Sequence, residues 1–344
     1  MASFLSFIAV IGICVIAHEF GHYITARRFD VQVHEFAFGM GPVIYQREGK
    51  HTLWSFRLFP VGGFVRLAGM EEETEGEVID PGRAFYDKPA WKRFLILFNG
   101  SVSNLVLAVL LTTLFLSAHG VMDLESTVIG EIMGGYPAQA SGMRPGDRIL
   151  SVNGFTVTTW RIMSAKIREQ AAAGPVRFSV QRGGESLEFT VSIPEDGEQK
   201  IPLLGIRPGM RRYSPGDALF SAFSHTASTS VEMLRGIIRW ITGTEKMDVT
   251  GPLGIASMAG EAARKGLWTF VSFLALINLN LGLINLLPFP ALDGGRLFFT
   301  AGEMLLRRRL PPKIENYIHT SGFILLILLI VYITWQDILR LFQG

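Results

Sequence analysis

Four long stretches of this 344-residue chain carry almost no charge, and they constrain its fold more than any other feature. Each reaches or exceeds the roughly 20 residues that an α-helix needs to cross the hydrocarbon core of a bilayer. The first contains the ionisable residues His18, Glu19 and His22. The sequence therefore predicts four transmembrane helices, over residues 2–26, 94–118, 266–292 and 317–336.

The composition agrees with a membrane protein that also has a soluble part. Charged residues make up 18% of the chain, against about 25% in ordinary soluble domains, and the mean hydropathy is +0.32. These values exclude a disordered chain and argue against a wholly soluble enzyme. The net charge of +2 predicts no nucleic-acid partner. Because Cys14 is the single cysteine, the chain forms no intrachain disulfide.

The basic residues predict how the chain is oriented in the membrane. They lie after the first stretch, before the second, and between the third and fourth, at Arg27, Arg28, Lys88, Lys92, Arg93 and Arg307 to Arg309. The positive-inside rule then places these connections in the cytoplasm and both termini outside. The acidic run Glu71 to Glu77 is expected to be a solvated cytoplasmic loop. A cleaved signal peptide is disfavoured, since no basic residue precedes the first apolar stretch.

Residues 127–194, between the second and third stretches, have the composition of a small soluble domain. Alternating apolar runs are separated by turn signals such as Asn153-Gly154 and Gly183-Gly184. The run Ala138 to Ile149, with Asn153-Gly154 after it, resembles the early part of a PDZ domain. PDZ domains bind extended peptides by adding a strand to a sheet edge. A β-rich linker domain of another type is the alternative.

Two further segments flank these predicted spans. Residues 31–84 contain alternating aromatic runs that end in glycines, which is typical of a β-hairpin. Non-helical backbone enters a membrane only where protein or water satisfies its polar groups, so we expect a re-entrant hairpin beside the first span. Phe220 to Trp240 is expected to form an amphipathic helix at the outer surface.

The first predicted span contains His18-Glu19-Phe20-Gly21-His22, an H-E-x-x-H motif. On a helix the two histidines share one face, from which both imidazoles can reach one Zn²⁺. Glu19 is then placed to act as the general base for the attacking water. Ionisable residues in a membrane span are costly and indicate a functional site. Glycine is unfavourable in the interior of a helix, so Gly21 indicates that another segment of backbone approaches the helix closely there.

A tetrahedral catalytic zinc needs a third protein ligand, which another part of the chain must supply. The third apolar stretch ends in Asn285-Leu-Leu-Pro-Phe-Pro-Ala-Leu-Asp293-Gly-Gly, and Asp293 is the first acidic residue after it. Pro288 and Pro290 stop regular helix there. Two alternatives remain open on these residues. Asp293 could instead cap the following helix, and Glu303 could be the third ligand of a differently built site.

The H-E-x-x-H motif and the later N-x-x-P-x-P-x-L-D-G motif together resemble the site-2 protease family of intramembrane zinc metalloproteases. One PDZ-like segment and four spans resemble its bacterial regulator-of-sigma-E protease group. The resemblance implies that His18, His22 and Asp293 ligate Zn²⁺, that Glu19 is the catalytic base, and that Asn285 holds the substrate backbone. Gly100-Ser101 departs from the Gly-Pro of many relatives.

The resemblance also implies a partner and a location. The substrate would be a transmembrane segment of another protein, either an anti-sigma factor or a remnant signal peptide. The chain would lie in the bacterial inner membrane, in contact with the lipid bilayer and with its PDZ-like segment on the extracytoplasmic side. The competing hypothesis is a membrane-anchored PDZ scaffold without proteolytic activity.

The predicted fold is an α-helical polytopic membrane protein of four transmembrane helices and a re-entrant β-hairpin, with an inserted β-rich PDZ-like domain. The predicted division is a first helix (1–30), the hairpin and cytoplasmic loop (31–84), a second helix (85–120), the PDZ-like domain (125–196), an amphipathic connector (197–262), a third helix (263–300), and a cytoplasmic turn with the fourth helix (301–344).

Overall fold

The structure is a computed structural model, and it describes residues 2–70, 78–196, 201–245, 250–309 and 311–343. The chain divides into two compact units. One unit, the helical unit, combines Met1–Phe115 with Pro215–Gly344, and the other, the inserted unit, is Leu116–Ser214. The predicted loop Glu71 to Glu77 lies outside the described residues.

The helices of the described residues lie in the apolar stretches, in the connector and, for two short ones, in the inserted unit. They are α1 (Ala2–Arg28), α2 (Ala90–Leu114), α3 (Pro137–Ala140), α4 (Trp160–Ala171), α5 (Pro215–Ile241), α6 (Pro252–Arg264), α7 (Leu267–Ile284), α8 (Asp293–Leu306) and α9 (Pro312–Gln343). A 3₁₀ turn at Phe85–Asp87 precedes α2, and a π-helical turn at Phe115–His119 follows it.

Four helical segments among these are long and apolar enough to cross a membrane, and they overlap the four predicted stretches. They are Ser3–Arg28, Ala90–His119, Leu267–Ile284 and Ile314–Leu339. The third is shorter than its apolar stretch, because α7 ends at Ile284 and residues 285–292 form turns. The prolines at 288 and 290 account for this early end, since proline cannot continue a helix interior.

Small residues let the helices of the helical unit approach closely. A Cβ added to Gly21 on α1 would lie 2.2 Å from the carbonyl oxygen of Asn99 on α2, which confirms the backbone approach predicted at Gly21. A Cβ on Gly282 of α7 would lie 3.0 Å from the carbonyl oxygen of Ser101 on α2. The helix α2 therefore packs against α1 and α7 through backbone contacts, as small residues allow at helix interfaces in membranes.

The strands of the helical unit form one sheet, β1 (Val33–Glu48) and β2 (Leu53–Leu67). It is more folded than a simple hairpin, because Phe36 of β1 is paired with both Val65 and Trp54 of β2. Glu35 is buried between the paired segments, and its Oε1 accepts a hydrogen bond from Arg57 at 2.6 Å. This ion pair joins β1 to β2 within the sheet. Alternation of apolar residues alone does not predict it.

The remaining strands are β3 (Val121–Met122), β4 (Ile129–Ile132), β5 (Arg148–Val152), β6 (Phe155–Thr156), β7 (Val176–Arg182), β8 (Glu185–Val191), β9 (Glu195–Asp196), β10 (Ile201–Pro202), β11 (Ile206–Pro208) and β12 (Met210–Arg211). Four of them form a sheet of order β6-β5-β7-β8. Its core includes Ile149, Met163 and Phe178. The inserted unit extends beyond 125–196, since β11 pairs with β4 and β12 pairs with β3.

A buried ion pair holds the inserted unit together. Asp147 is 1% exposed, and it accepts hydrogen bonds from the guanidinium of Arg182 at 2.7 and 2.8 Å and from the amide of Arg144 at 2.8 Å. Burial by itself raises the pKa of the Asp147 carboxyl, but these donors outweigh burial and hold that pKa below its ordinary value. The carboxylate is therefore charged in the folded unit at neutral pH.

Candidate metal centre and active site

Two histidines and an aspartate from distant parts of the chain converge in the helical unit. The Nε2 atom of His18 lies 2.8 Å from Oδ2 of Asp293 and 3.2 Å from Nε2 of His22. The Nε2 atom of His22 lies 3.1 Å from the same Oδ2. Among the described residues, these are the His, Cys, Asp or Glu side chains that cluster closely enough to hold a metal ion.

The triangle of ligand atoms fits zinc. Tetrahedral Zn²⁺ with bonds of about 2.0–2.1 Å separates two ligand atoms by roughly 3.3 Å. The three distances in this triangle, 2.8 to 3.2 Å, are close to that separation. The donor set of two imidazoles and one carboxylate is also one that catalytic zinc sites use. Glu303, the alternative third ligand, instead forms an ion pair with the buried Arg93.

The helix α1 presents both imidazoles because their positions differ by four residues. Their rings meet edge to face, with centroids 4.8 Å apart. His22 is further fixed by α2, since its Nδ1 lies 2.9 Å from the carbonyl oxygen of Ile96. A carbonyl can only accept, so Nδ1 carries the proton and Nε2 of the neutral imidazole has a free lone pair. His22 thus has the tautomer that a metal ligand needs.

Asp293 is positioned by the turns between α7 and α8. The amide of Gly294 donates to the carbonyl of Asn285 at 2.7 Å, which closes the segment 285–294. A Cβ on Gly294 would lie 2.0 Å from the carbonyl oxygen of Leu287, so glycine is required there. The N-cap of α8 is Leu292, and Asp293 is the first residue of the helix. The alternative that Asp293 caps this helix is therefore wrong.

Glu19 lies beside the histidines and contacts the β-sheet. Its Oε2 accepts a hydrogen bond from the backbone amide of Val65 in β2 at 2.9 Å. A cavity of about 420 Å³ opens at this point. Its lining includes all four chemical groups and residues from β2, α8 and α9: His18, Glu19, His22, Asp293, Phe64, Val65, Arg296 and His319. The cavity therefore exposes the cluster of His18, His22 and Asp293, together with Glu19, to one shared space.

Sequence reasoning did not single out His319 or Arg296, which both line this cavity. His319 is 7% exposed, and its Nδ1 accepts the amide proton of Ala291 at 3.3 Å. Ala291 has a φ of +82°, so this hydrogen bond supports a strained turn just before Asp293. The sequence does contain a signal for a role of His319, because Glu315 and His319 are two ionisable residues four positions apart at the start of an apolar stretch.

Asn285, the predicted contact to the substrate, is half-buried and is absent from the residues that line the cavity.

An H-E-x-x-H helix, a remote aspartate and a carboxylate base, set among apolar helices, define a membrane-embedded metallopeptidase. Residues 6–329 match peptidase family M50, and the chain belongs to that family. It is a zinc metalloprotease of the site-2 protease type, which confirms the family, activity and cofactor predicted from the two motifs.

The chain matches two of the similar proteins over 99% of its length. It is 32% identical over 346 residues to a Fusobacterium nucleatum protein whose name includes zinc metalloprotease, covering 99% of this chain and 100% of that protein. It is 28% identical over 421 residues to zinc metalloprotease RasP of Geobacillus kaustophilus, covering 99% of each. A solved PDZ domain of an SdrC-like protein from Listeria innocua matches 26% of this chain and 99% of that domain, at 16% identity and a TM-score of 0.23.

Proposed function

We propose that His18, His22 and Asp293 hold the catalytic zinc of an intramembrane endopeptidase and that Glu19 is its general base. The observation that carries the proposal is the triangle of ligand atoms, 2.8 to 3.2 Å on a side, with Glu19 on the same cavity. Zinc bound there supplies Lewis-acid activation of the attacking water and of the scissile carbonyl.

The chain's own residues handle the proton and the substrate. Glu19 accepts a proton from the attacking water and delivers it to the leaving amine. The amide of Val65 holds the Glu19 carboxylate at the cavity before this transfer. Phe64, Val65 and Leu67 bring the last segment of β2 to the cavity wall. This edge is positioned to take an extended substrate as an added strand, as sheet edges do in peptide recognition.

The substrate is a transmembrane segment of another protein, unwound at the cleavage point. Unwinding is needed because the hydrogen bonds of an intact helix shield its peptide groups. The four apolar helices and the burial of His18 and His22 favour such a substrate over a soluble one. Anti-sigma factors and remnant signal peptides are the two substrate types that the family resemblance implies. The proposal that Asn285 contacts the substrate backbone rests on the family resemblance alone.

The orientation proposed is multi-pass insertion in the bacterial inner membrane, with the β1–β2 sheet re-entrant from the cytoplasmic side. The inserted unit is then a PDZ-like domain outside the cytoplasm, and 71–77 is inside. The distribution of Lys and Arg supports this orientation. Single cysteines at Ser186 and Thr74, in a Cys14→Ser background, test it with an impermeant thiol reagent. Labelling of Thr74→Cys but not Ser186→Cys in intact cells would reverse the orientation.

The experiment that tests the catalytic assignment compares the wild type with Glu19→Gln. The glutamine is nearly isosteric but cannot accept the proton, so the variant should bind zinc normally and lose cleavage of a model transmembrane segment. Zinc content is measured on the purified protein beside the cleavage assay. Substantial cleavage by Glu19→Gln would refute the role of Glu19. Absence of cleavage by the zinc-loaded wild type, with any transmembrane segment tried, would favour the PDZ scaffold hypothesis.

A further inference from the structure

Asn104 is a buried polar residue of α2 that faces the metal centre. Its exposed fraction is 0%, and its Nδ2 lies 3.4 Å from Nδ1 of His18. Its Oδ1 is buried and has no hydrogen-bond partner in the part of the chain that the structure describes. An unpaired buried amide oxygen is destabilising, so such an atom requires an explanation.

The chemistry of His18 supplies that explanation. Nε2 of His18 is the atom that points at His22 and Asp293, so as a metal ligand it must be unprotonated. A neutral imidazole carries one proton, which must then be on Nδ1, and Nδ1–H needs an acceptor. With the Asn104 amide in its present orientation, this N–H would meet the amide nitrogen, which is itself a donor.

Rotating the Asn104 amide by half a turn gives the Nδ1–H of His18 an acceptor. The oxygen and nitrogen of an amide side chain are distinguished by their hydrogen bonds and not by position. After rotation Oδ1 lies where it can accept the proton of His18 Nδ1 and is no longer unpaired, and Nδ2 takes its former position. The same helix already provides the carbonyl of Ile96 for Nδ1 of His22.

We propose that Asn104 is a positioning residue of the catalytic centre, which accepts Nδ1–H of His18 and so keeps Nε2 of that ligand free for zinc. The proposal rests on the proposed role of His18 as a zinc ligand. Asn104 then accepts Nδ1–H of His18 as the carbonyl of Ile96 accepts Nδ1–H of His22, and both acceptors lie on α2. Partners of this kind fix the tautomer and the orientation of a ligating histidine.

The test measures zinc affinity, by competition with a chromogenic chelator, on the full-length chain in detergent. Asn104→Leu removes the acceptor and should weaken zinc binding by about 10–100-fold. Asn104→Asp keeps an acceptor and should bind zinc at least as tightly as the wild type. The matched control is Asn278→Leu, because Asn278 is also 0% exposed in an apolar helix and has an unpaired Oδ1, but it bonds to the carbonyl of Leu274. Zinc affinity of Asn278→Leu should be unchanged.

Three results would overturn the proposal. Asn104→Leu could bind zinc like the wild type, Asn278→Leu could weaken zinc binding equally, or Asn104→Asp could bind more weakly than the wild type. The last comparison decides the question if Asn104→Leu does not fold. Substitution of Co²⁺ adds a spectroscopic readout, since the visible absorption bands of the ion should shift in Asn104→Asp and not in Asn278→Leu. His18→Ala separates the two assignments: full zinc affinity in that variant refutes the proposed ligand, whereas its loss beside normal binding by Asn104→Leu refutes Asn104 alone.

Discussion

Replacing Gly100 with alanine should strongly weaken zinc binding, although nothing in the local sequence indicates this. Gly100 is buried in the interior of α2, where alanine is favoured over glycine by about 0.5–1 kcal/mol. Helix propensity alone therefore predicts a more stable protein. The structure predicts the opposite for function, because a Cβ on Gly100 would lie 2.3 Å from Nε2 and 2.4 Å from Cε1 of His22.

The size of the effect follows from these distances. Non-bonded heavy atoms rest at about 3.5 Å or more, so the imidazole must retreat by more than roughly 1 Å from the added methyl group. Zinc ligand distances tolerate deviations of only about 0.2 Å. The Nδ1 atom of His22 also lies 2.9 Å from the carbonyl oxygen of Ile96, and a shift of the ring away from α2 would break this hydrogen bond. Loss of a hydrogen-bond partner of a zinc ligand can cost about 100-fold in zinc affinity. Displacement of the ligand itself should cost more than that.

The assay is zinc content and chelator competition on the purified variant, with cleavage of a model transmembrane segment beside it. Gly302→Ala is the control, because Gly302 is in α8 and a Cβ there meets no atom within 4 Å. That control should bind zinc and cleave like the wild type, with a slightly higher melting temperature. Wild-type zinc affinity in Gly100→Ala would show that α2 does not lie against His22 as described.

Three other perturbations test separate parts of the molecule. Gly21→Ala should lower the unfolding free energy by about 1–3 kcal/mol in a thermal melt, because its Cβ would lie 2.2 Å from the rigid backbone carbonyl of Asn99. Asp147→Asn should destabilise the inserted unit at neutral pH by about 1–3 kcal/mol, measured by hydrogen exchange. Because the folded pKa of Asp147 is lowered, its stabilisation is present above the unfolded value of about 3.9 and is lost as the pH falls below it. The difference between wild type and variant should therefore shrink in acid, and a constant difference would contradict the ion pair. Replacing residues 121–211 with a flexible linker should preserve zinc binding and cleavage of a short segment, while selectivity against substrates with bulky outer domains falls. Loss of zinc in this deletion would show that the inserted unit is needed to build the metal site.

The sequence predicted the parts of this protein that depend on local spacing. The four-residue interval between His18 and His22 was sufficient to predict that they share one face of a helix. The uncharged stretches were sufficient to predict the long helices. The choice between Asp293 and Glu303 needed the tertiary structure, because both follow the third apolar stretch and only packing shows that Glu303 pairs with Arg93. The pairing of β1 with two segments of β2 was beyond an alternation pattern, which gives the faces of a strand but not its partners.

The metal centre depends on how closely α1 and α2 approach, and glycine sets that distance on both helices. Gly21 admits the backbone of α2 at Asn99, and Gly100 leaves room for the ring of His22. The same approach brings the carbonyl of Ile96 within 2.9 Å of His22 Nδ1. Small residues at a membrane-helix interface are usually explained by packing alone, but here they also bring a hydrogen-bond acceptor to a ligand. A change that separates α1 from α2 by a fraction of an ångström should therefore weaken zinc binding before it unfolds either helix.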